Sequence, residues 1–209
     1  FYSLIYVYKN KIYIIITLMG ASVLPATIYK NKLYLLFGKE RDNDDTPGWS
    51  DFGGGTDKGE TFIKTAEREG GEELTGFLGD KNNIKHLLKK YGTFNIDFKN
   101  DGYSTYRAHI FPITYDDKLP YYYNNNQQFI QKHLDASIIQ NTKIFEKTQI
   151  KWFCIDELIQ NKKQFRGFYQ NIIDLIIEDK TNISKFVRSS LSNTKNKTIK
   201  NKTIKNKIK

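Results

Sequence analysis

The stretch from Gly53 to Gly76, GGGTDKGETFIKTAEREGGEELTG, concentrates negative charge behind a run of three glycines. Glu69, Glu72 and Glu73 stand close together there, next to the only arginine of the stretch, Arg68. Like charges held together raise the free energy of the folded state unless water, basic side chains or a bound cation neutralise them. This stretch is therefore the first candidate for a functional site.

The residues from Thr61 to about Thr75 are predicted to form a helix. With about 100° per residue, an apolar stripe on this helix packs against a sheet. The stripe consists of Ile63, Ala66, Gly70 and Leu74. The three glutamates lie on one side of it, and none has a lysine partner at four-residue spacing. Two interpretations follow: a solvated acidic face, or a site for a hard divalent cation, Mg²⁺ where phosphate also binds.

The spacing of the charged residues resembles the signature of the Nudix hydrolases. Five residues separate Gly54 from Glu60, seven separate Glu60 from Arg68-Glu69, and two separate that pair from Glu72-Glu73. The runs GWSDFGGG and IKWFCIDEL resemble the strands that flank this signature in the family. The resemblance covers roughly Ala21 to Leu175, and the A/T-biased, lysine-rich sequence looks similar to members from large DNA viruses.

The resemblance implies an α/β/α sandwich with a mixed β-sheet, an α+β fold. It implies hydrolysis of a nucleoside diphosphate linked to a further group, with Mg²⁺ as cofactor and Mn²⁺ as a possible substitute. The implied metal ligands are Glu69, Glu72 and Glu73, and Glu72 doubles as the base for the attacking water. Arg68 is expected to pair with and orient Glu60 or Glu73.

Loop residues complete the expected site. The glycines Gly53, Gly54 and Gly55 let the backbone approach metal and phosphate closely. Family members often use a further acid from a later loop. Glu146 is the candidate for this extra base, and Glu157 is its rival, although Glu157 is better placed to start a helix.

Two positions depart from the family pattern. An aliphatic residue is usual where Gly70 stands, and a glycine is usual where Thr75 stands, with Gly76 one position late. Gly70 and Gly71 together cost the helix about 1–2 kcal/mol relative to alanines. Either a bulky neighbour fills the space over Gly70, or the helix is loosely packed there.

The remaining elements follow from turn signals and periodicity. Hairpins are predicted around YKNK and KNDG, a strand at TQIKWFCI, and helices at Lys81–Lys90, FIQKHLDASIIQ and FYQNIIDLIIED. DDKLPYYYNNNQQ is interpreted as a loop, with Tyr121–Asn126 weighed as a nucleobase platform. This order of elements predicts a sandwich with a mixed sheet.

The chain is divided into 1–18, an extension of doubtful status, 19–180, the hydrolase domain, and 181–209, a basic tail predicted to be disordered. The only methionine is Met19, and the residues before it are interpreted as upstream translation or a dispensable extension, with a signal or anchor segment as the alternative. The single cysteine, Cys154, excludes an intramolecular disulfide and fits a reducing compartment. A cytoplasmic protein without a membrane partner is expected, in the host cytoplasm if it is viral.

The net charge of +10 favours an anionic partner. The repeated NKTIK of the tail is either solvated or a nonspecific contact to an RNA backbone. Because some family members from large DNA viruses remove the cap from messenger RNA, the resemblance implies capped messenger RNA as one candidate substrate. Small substrates are the alternative: dinucleoside polyphosphates, nucleotide sugars, oxidised nucleotides or inositol pyrophosphates. A non-catalytic module that binds a nucleotide or RNA is the second functional class, and the oligomeric state is left open.

The three histidines and two tryptophans give weaker functional signals. His86, His109 and His133 show no ligand spacing and are expected to be structural or exposed. Trp49 and Trp152 are expected to be core residues beside the sheet, with stacking on a base as the alternative.

Overall fold

The computed structural model describes residues 2–8, 11–42, 45–100, 104–142 and 145–192. The strands are β1 (Tyr2–Tyr8), β2 (Lys11–Tyr29), β3 (Lys32–Glu40), β4 (Trp49–Ser50), β5 (Phe52–Gly55), β6 (Phe94–Asn100), β7 (Ser104–Pro112) and β8 (Lys147–Cys154). The helices are α1 (Phe62–Glu73), α2 (Lys81–Tyr91), α3 (Lys118–His133), α4 (Ala136–Asn141), α5 (Ile155–Asn161), α6 (Tyr169–Glu178) and α7 (residues 180–192).

The sheet is organised around the long strand β2. Its order is β4-β3-β2-β7-β6, with β8 beside β3 and with β5 and β1 also paired to β2. Strand β7 runs parallel to β2, whereas the other pairings are antiparallel, so the sheet is mixed as predicted. Lys30 and Asn31 take φ values of 46° and 64°, which closes the predicted YKNK hairpin.

Helices cover both faces of the sheet. Alternate residues of β2 point to opposite sides, so that Leu24 enters one core and Val23 the other. The first core contains residues of α5, α6 and α7, and the second contains residues of α1, α2 and α3. The predicted α/β/α sandwich with a mixed sheet is therefore confirmed.

The prediction of a loop at DDKLPYYYNNNQQ is wrong, because most of this segment forms α3. Pro120 is tolerated because it lies in the first helical turn, where its missing N–H has no partner to lose. Tyr123 and Gln127, one turn apart, are fully buried and anchor the helix, and the Tyr123 hydroxyl donates to the carbonyl of Glu73. The helix predicted after this loop is divided at Leu134, and α4 begins with Asp135 as its N-cap.

The predicted domain limits fall inside packed elements. Helix α7 continues the domain to residue 192, and its Ile183 and Val187 are fully buried, so the tail does not begin at 181. The rest of the predicted tail, 193–209, lies outside the described residues. At the other end, β2 runs across residue 18 as one strand. In the described ranges, no helix combines the length and apolarity needed to cross a bilayer.

Candidate active site

Helix α1 packs against β2 and β5 with most of the predicted stripe, but its buried face is shifted toward the glutamates. Ala66, Gly70 and Leu74 are buried, but Ile63 is 36% exposed. Glu69 and Glu73 are buried instead, with only 8% and 3% of their surface exposed. The helix is turned so that two of the three candidate carboxylates lie inside the protein.

The two glycines inside α1 are explained by close neighbours. A Cβ atom on Gly70 would lie 2.6 Å from Cγ2 of Val23, so the strand side chain fills the space that an aliphatic residue would need. A Cβ atom on Gly71 would lie 2.8 Å from the backbone nitrogen of Lys81, at the start of α2. Of the two alternatives raised by the sequence, the bulky neighbour is found.

The glycine strand β5 lies directly against α1. A Cβ atom on Gly54 would be 2.5 Å from Oε1 of Glu69, so a larger residue there would push the Glu69 carboxylate aside. After α1, Thr75 takes a φ of 48° and Gly76 a φ of 79°. The chain thus makes the left-handed turn with threonine where the family pattern has glycine, a conformation that disfavours residues with a Cβ atom.

Arg68 is the centre of an ion-pair network. Its guanidinium contacts Glu60 at 3.0 Å and Glu69 at 2.6 Å, and its Nη2 donates to the carbonyl oxygen of Gly55 at 3.0 Å. The hydrogen bond from Arg68 lowers the pKa of Glu60 to about 2. Arg68 also lies 3.6 Å from Glu72, four residues further on, so this acid has an arginine partner although it has no lysine at that spacing.

Glu73 pairs with Lys147 and not with Arg68. Its Oε1 lies 3.5 Å from Nζ of Lys147, which is fully buried. Lys147 also donates to Glu40 and, at 2.8 Å, to the hydroxyl of Ser50. Burial raises the pKa of Glu73 well above its usual range, and Lys147 opposes that rise. Charged residues at the ends of strands usually face solvent. The sequence therefore did not indicate that Lys147, which begins β8, and Glu40, which ends β3, form a buried ion pair.

Glu72 and Glu146 are more open to solvent. The side chain of Glu72 is 38% exposed, and Glu146, directly before β8, is half-buried. Burial raises the pKa of Glu69, and repulsion from Glu72 and Glu146 adds to this rise. Glu146 is therefore close enough to interact with the candidate ligands, whereas Glu157 lies in the first turn of α5, as its sequence position suggested.

The acids of α1 match a divalent cation in donor chemistry, although they are not gathered into a complete site. Among the described residues, no three His, Cys, Asp or Glu side chains are grouped as a ready metal site. The donor chemistry nevertheless fits, since Glu69 and Glu73 lie one helical turn apart and supply oxygen atoms. Oε2 of Glu73 is buried without a hydrogen-bond partner, so it has an unused coordination position.

A cavity of about 590 Å³ opens beside α1 and β5. This volume is in the range of small-molecule sites. The cavity is lined on one side by charged residues of the site. On the other side it is lined by aromatic residues of the sheet and of the segment before α6. Its lining includes Gly53, Gly54, Gly55, Arg68, Glu69, Asp51, Phe98, Tyr106, Arg166 and Phe168.

The remaining candidate residues lie away from this cavity. His109 is buried, its Nδ1 is 2.8 Å from Oδ1 of Asn95, and burial lowers its pKa to about 4. His86 and His133 are exposed, and both tryptophans are core residues, as predicted. Of the three adjacent tyrosines, Tyr121 and Tyr122 are exposed on α3, and none lines the cavity.

Comparisons with known proteins give weak likenesses. No family model matches the chain, and no curated protein matches it. Among solved structures, an Ap4A hydrolase binary complex from C. elegans matches with 13% identity over 84% of this chain and 98% of that chain, at a TM-score of 0.45. The NUDIX domain of Shewanella oneidensis NrtR, complexed with ADP ribose, matches with 13% identity over 79% and 87%, at 0.43.

A third structure is a bifunctional NMN adenylyltransferase/ADP ribose pyrophosphatase from Francisella tularensis, complexed with AMP and a Mn ion. It matches with 16% identity over 78% of this chain and 42% of that chain, at a TM-score of 0.49. At such low similarity, the roles of individual residues rest on this chain's own geometry.

Proposed function

We propose that this chain is a Nudix hydrolase that cleaves a diphosphate bridge in a nucleoside diphosphate derivative with the aid of a divalent cation. The motif Gly54–Glu73 supports this assignment through its spacing. The observation that carries it is the arrangement of α1 against β5: Glu69 is held between Arg68 and Gly54 at the wall of a cavity.

The chain's own residues divide the task. Glu69, Glu72 and Glu73 would hold Mg²⁺, or Mn²⁺ in its place. When bound, this ion supplies positive charge to the phosphate oxygens and lowers the pKa of the attacking water. Arg68 keeps Glu69 in place and is itself held by Glu60 on its other side. The carbonyl of Gly55 accepts from Arg68, which ties the glycine strand to the same network.

Glu72 is the residue assigned to proton transfer. It is the most exposed of the three acids, so it can accept a proton from water and release it to solvent. Glu146 is assigned as an additional acid because its charge acts on both Glu69 and Glu73.

Replacement of Glu72 tests this proposal. The Glu72→Gln variant keeps the side-chain size but loses the proton acceptor, and its turnover in Mg²⁺ should fall by about 10²–10⁴-fold. Phosphate-containing products are identified after incubation with dinucleoside polyphosphates, nucleotide sugars and capped RNA. The matched control is Glu67→Gln, a glutamate on the same helix outside the proposed ligand set. Unchanged turnover in Glu72→Gln would contradict the catalytic mechanism. No turnover of any of these substrates by the unmodified protein would leave a module that only binds nucleotides.

Capped RNA is the second candidate within this class, favoured by the net charge of +10 and the lysine-rich tail. Decapping predicts release of a methylated guanosine diphosphate from long RNA. The rate should fall as salt rises and as residues 193–209 are removed, while hydrolysis of a small dinucleotide stays unchanged. Equal rates on RNA with and without the tail would contradict this candidate.

A further inference from the structure

The cavity beside α1 has an aromatic wall that the proposed hydrolysis does not use. Phe98, Tyr106 and Phe168 line the cavity together with Arg68 and Glu69 of the candidate site. Phe168 is 38% exposed, and the other two aromatic residues are partly buried. A single exposed apolar side chain is common on a protein surface. Three aromatic residues that line one concave site are instead typical of a ligand pocket.

The sheet places this aromatic wall at a defined distance from α1. Gly55 of β5 pairs with Gly20 of β2, and Gly20 pairs in turn with Tyr106 of β7. On the far side of β7, Tyr106 pairs with Phe98 of β6. Residues paired directly across strands point to the same face, so this row consists of two glycines followed by two aromatic residues. With adjacent strands about 4.8 Å apart, the backbone of Tyr106 lies about 10 Å from that of Gly55.

The two glycines shape the floor of the cavity. A Cβ atom on Gly20 would lie 2.8 Å from Cδ2 of Tyr106, so the tyrosine ring lies against this glycine. A Cβ atom on Gly55 would meet nothing within 4 Å, and the carbonyl oxygen of Gly55 accepts from Arg68. The floor next to the Arg68 network is therefore open, whereas the first aromatic ring lies against the neighbouring strand β2.

The Tyr106 side of the wall is held from behind. The Tyr106 hydroxyl donates to Oδ1 of the buried Asp51 at 2.7 Å, and the Ser22 hydroxyl donates to the other oxygen of this acid. The ring of Phe168 lies edge-on to that of Tyr106, with 6.0 Å between the ring centroids. This part of the wall therefore does not need a ligand in order to form.

Phe168 stays exposed although the segment that contains it is anchored. Phe165 and Tyr169, before and after it, are only 2% and 0% exposed. The backbone nitrogen of Arg166 donates to the carbonyl oxygen of Trp49 at 3.1 Å, and the Arg166 guanidinium lies 5.3 Å from the Phe168 ring centroid. The segment thus holds an apolar ring at the cavity between two buried neighbours.

We propose that Phe168 is the base-binding residue of this cavity and that it selects nucleoside diphosphates over diphosphates without an aromatic base. The base packs against Phe168 at the aromatic wall, and the diphosphate extends over Gly55 toward Arg68 and Glu69. A ribose joins these two ends across the separation of about 10 Å set by the strands. The inference rests on the proposed function, because that function places the diphosphate at α1.

The chemistry of ring packing explains this selection. Every nucleobase has a flat π-face, and stacking on an aromatic side chain is therefore tolerant of base identity. A diphosphate attached to a polar, non-aromatic group has no such face and gains nothing from Phe168. The wall therefore favours nucleotide derivatives over inositol pyrophosphates among the candidate substrates.

The experiment measures binding of ADP, GDP and inorganic pyrophosphate to the full chain by calorimetry in EDTA, so that no hydrolysis takes place. ADP and GDP should each bind at least about tenfold tighter than pyrophosphate. Phe168→Ala should weaken the binding of ADP and GDP alike by about tenfold and leave pyrophosphate unchanged, whereas Phe168→Trp should retain all three affinities. The matched control is Phe129→Ala, a phenylalanine of α3 that is 63% exposed and outside the cavity lining, and it should change none of them.

The outcomes separate this inference from the proposed function. Equal affinities for ADP and pyrophosphate in the unmodified protein would overturn base binding at the wall, whether or not a variant folds. Unchanged ADP binding in a folded Phe168→Ala variant, checked by thermal melting, would overturn the role of Phe168. A loss confined to one of the two bases would contradict ring packing. Failure of the Glu72→Gln test would remove the catalytic mechanism, whereas the binding panel in EDTA does not depend on that mechanism.

Discussion

Nζ of Lys147 lies 3.5 Å from Oε1 of Glu73, and neither side chain is more than 3% exposed. A fixed positive charge therefore lies next to a carboxylate that is proposed to hold a cation. The same ammonium group pairs with Glu40, which also receives a hydrogen bond from Arg166. Two acids and two bases thus form a cluster that joins β3, β8 and α1 to the cavity wall.

Removal of Lys147 should destabilise the fold strongly. Lys147→Met leaves Glu40 and Glu73 buried without their shared counter-charge, and we expect the free energy of unfolding to fall by about 3–5 kcal/mol. Urea denaturation followed by circular dichroism measures this change. Lys64→Met, an exposed lysine on α1, is the control and should change stability by no more than about 0.5 kcal/mol. Equal stabilities of the two variants would show that the cluster is not a structural element.

Gly70 should tolerate no side chain. Gly70→Val places methyl groups where Cγ2 of Val23 already lies, and overpacking should lower the free energy of unfolding by about 1–3 kcal/mol. Val23→Ala in the same protein should recover part of the loss, because it removes the atoms that clash. Gly167→Ala, where an added Cβ meets nothing within 4 Å, is the control. Independent, additive effects of the changes at positions 70 and 23 would contradict the contact.

Glu60 should contribute to the acid sensitivity of the fold. Its pKa is lowered from 4.5 to about 2 by the hydrogen bond from Arg68, so the folded state binds the proton less tightly than the unfolded state. Its contribution is complete above pH 4.5 and is lost as the pH falls toward 2. In thermal melts from pH 7 to pH 3, the stability difference between the unmodified protein and Glu60→Gln should shrink. A difference that is constant across this range would contradict the ion pair.

Magnesium uptake should depend on the buried acids of α1. Calorimetric titration with Mg²⁺ in the presence of a nucleoside diphosphate should show binding in the unmodified protein. Glu69→Gln should weaken it by at least about tenfold, because it removes a charged oxygen ligand. Glu67→Gln should bind as the unmodified protein does. If Glu69→Gln retained the full affinity for Mg²⁺, the assignment of this residue as a ligand would be wrong.

The sequence predicted the sandwich and the position of the charged helix because these depend on local signals. The spacing from Gly54 to Glu73 located α1 and β5, and apolar periodicity located α6. The pairing of Arg68 with Glu60 was one of two predicted contacts, and the helix orientation decided between them. At one turn of separation, Glu73 lies beyond Glu69 and faces β8 instead.

The parts that the sequence did not predict depend on distant contacts. Lys147 and Glu40 are 107 residues apart and meet only because β3 and β8 are neighbours. Helix α3 was interpreted as a loop, since its proline, tyrosines and asparagines are poor helix formers. Its inward face is nevertheless anchored, because Tyr123 is buried and its hydroxyl donates a hydrogen bond to the carbonyl of Glu73, at the end of α1. Asp51 carries no local signal, because its partners Ser22 and Tyr106 come from other strands.

Gly71 has a mechanical consequence for α1, which contains it, and for α2, which begins next to it. With a glycine there, the backbone at the start of α2 comes so close to α1 that no side chain separates them. The preceding residue, Gly70, points about 100° further around the helix and lies against Val23. These close contacts on two sides restrict the movement of α1 relative to β2 and α2. The backbone that carries Glu69 and Glu73 is consequently held in place by its neighbours, and only the side chains have to adjust when a ligand arrives.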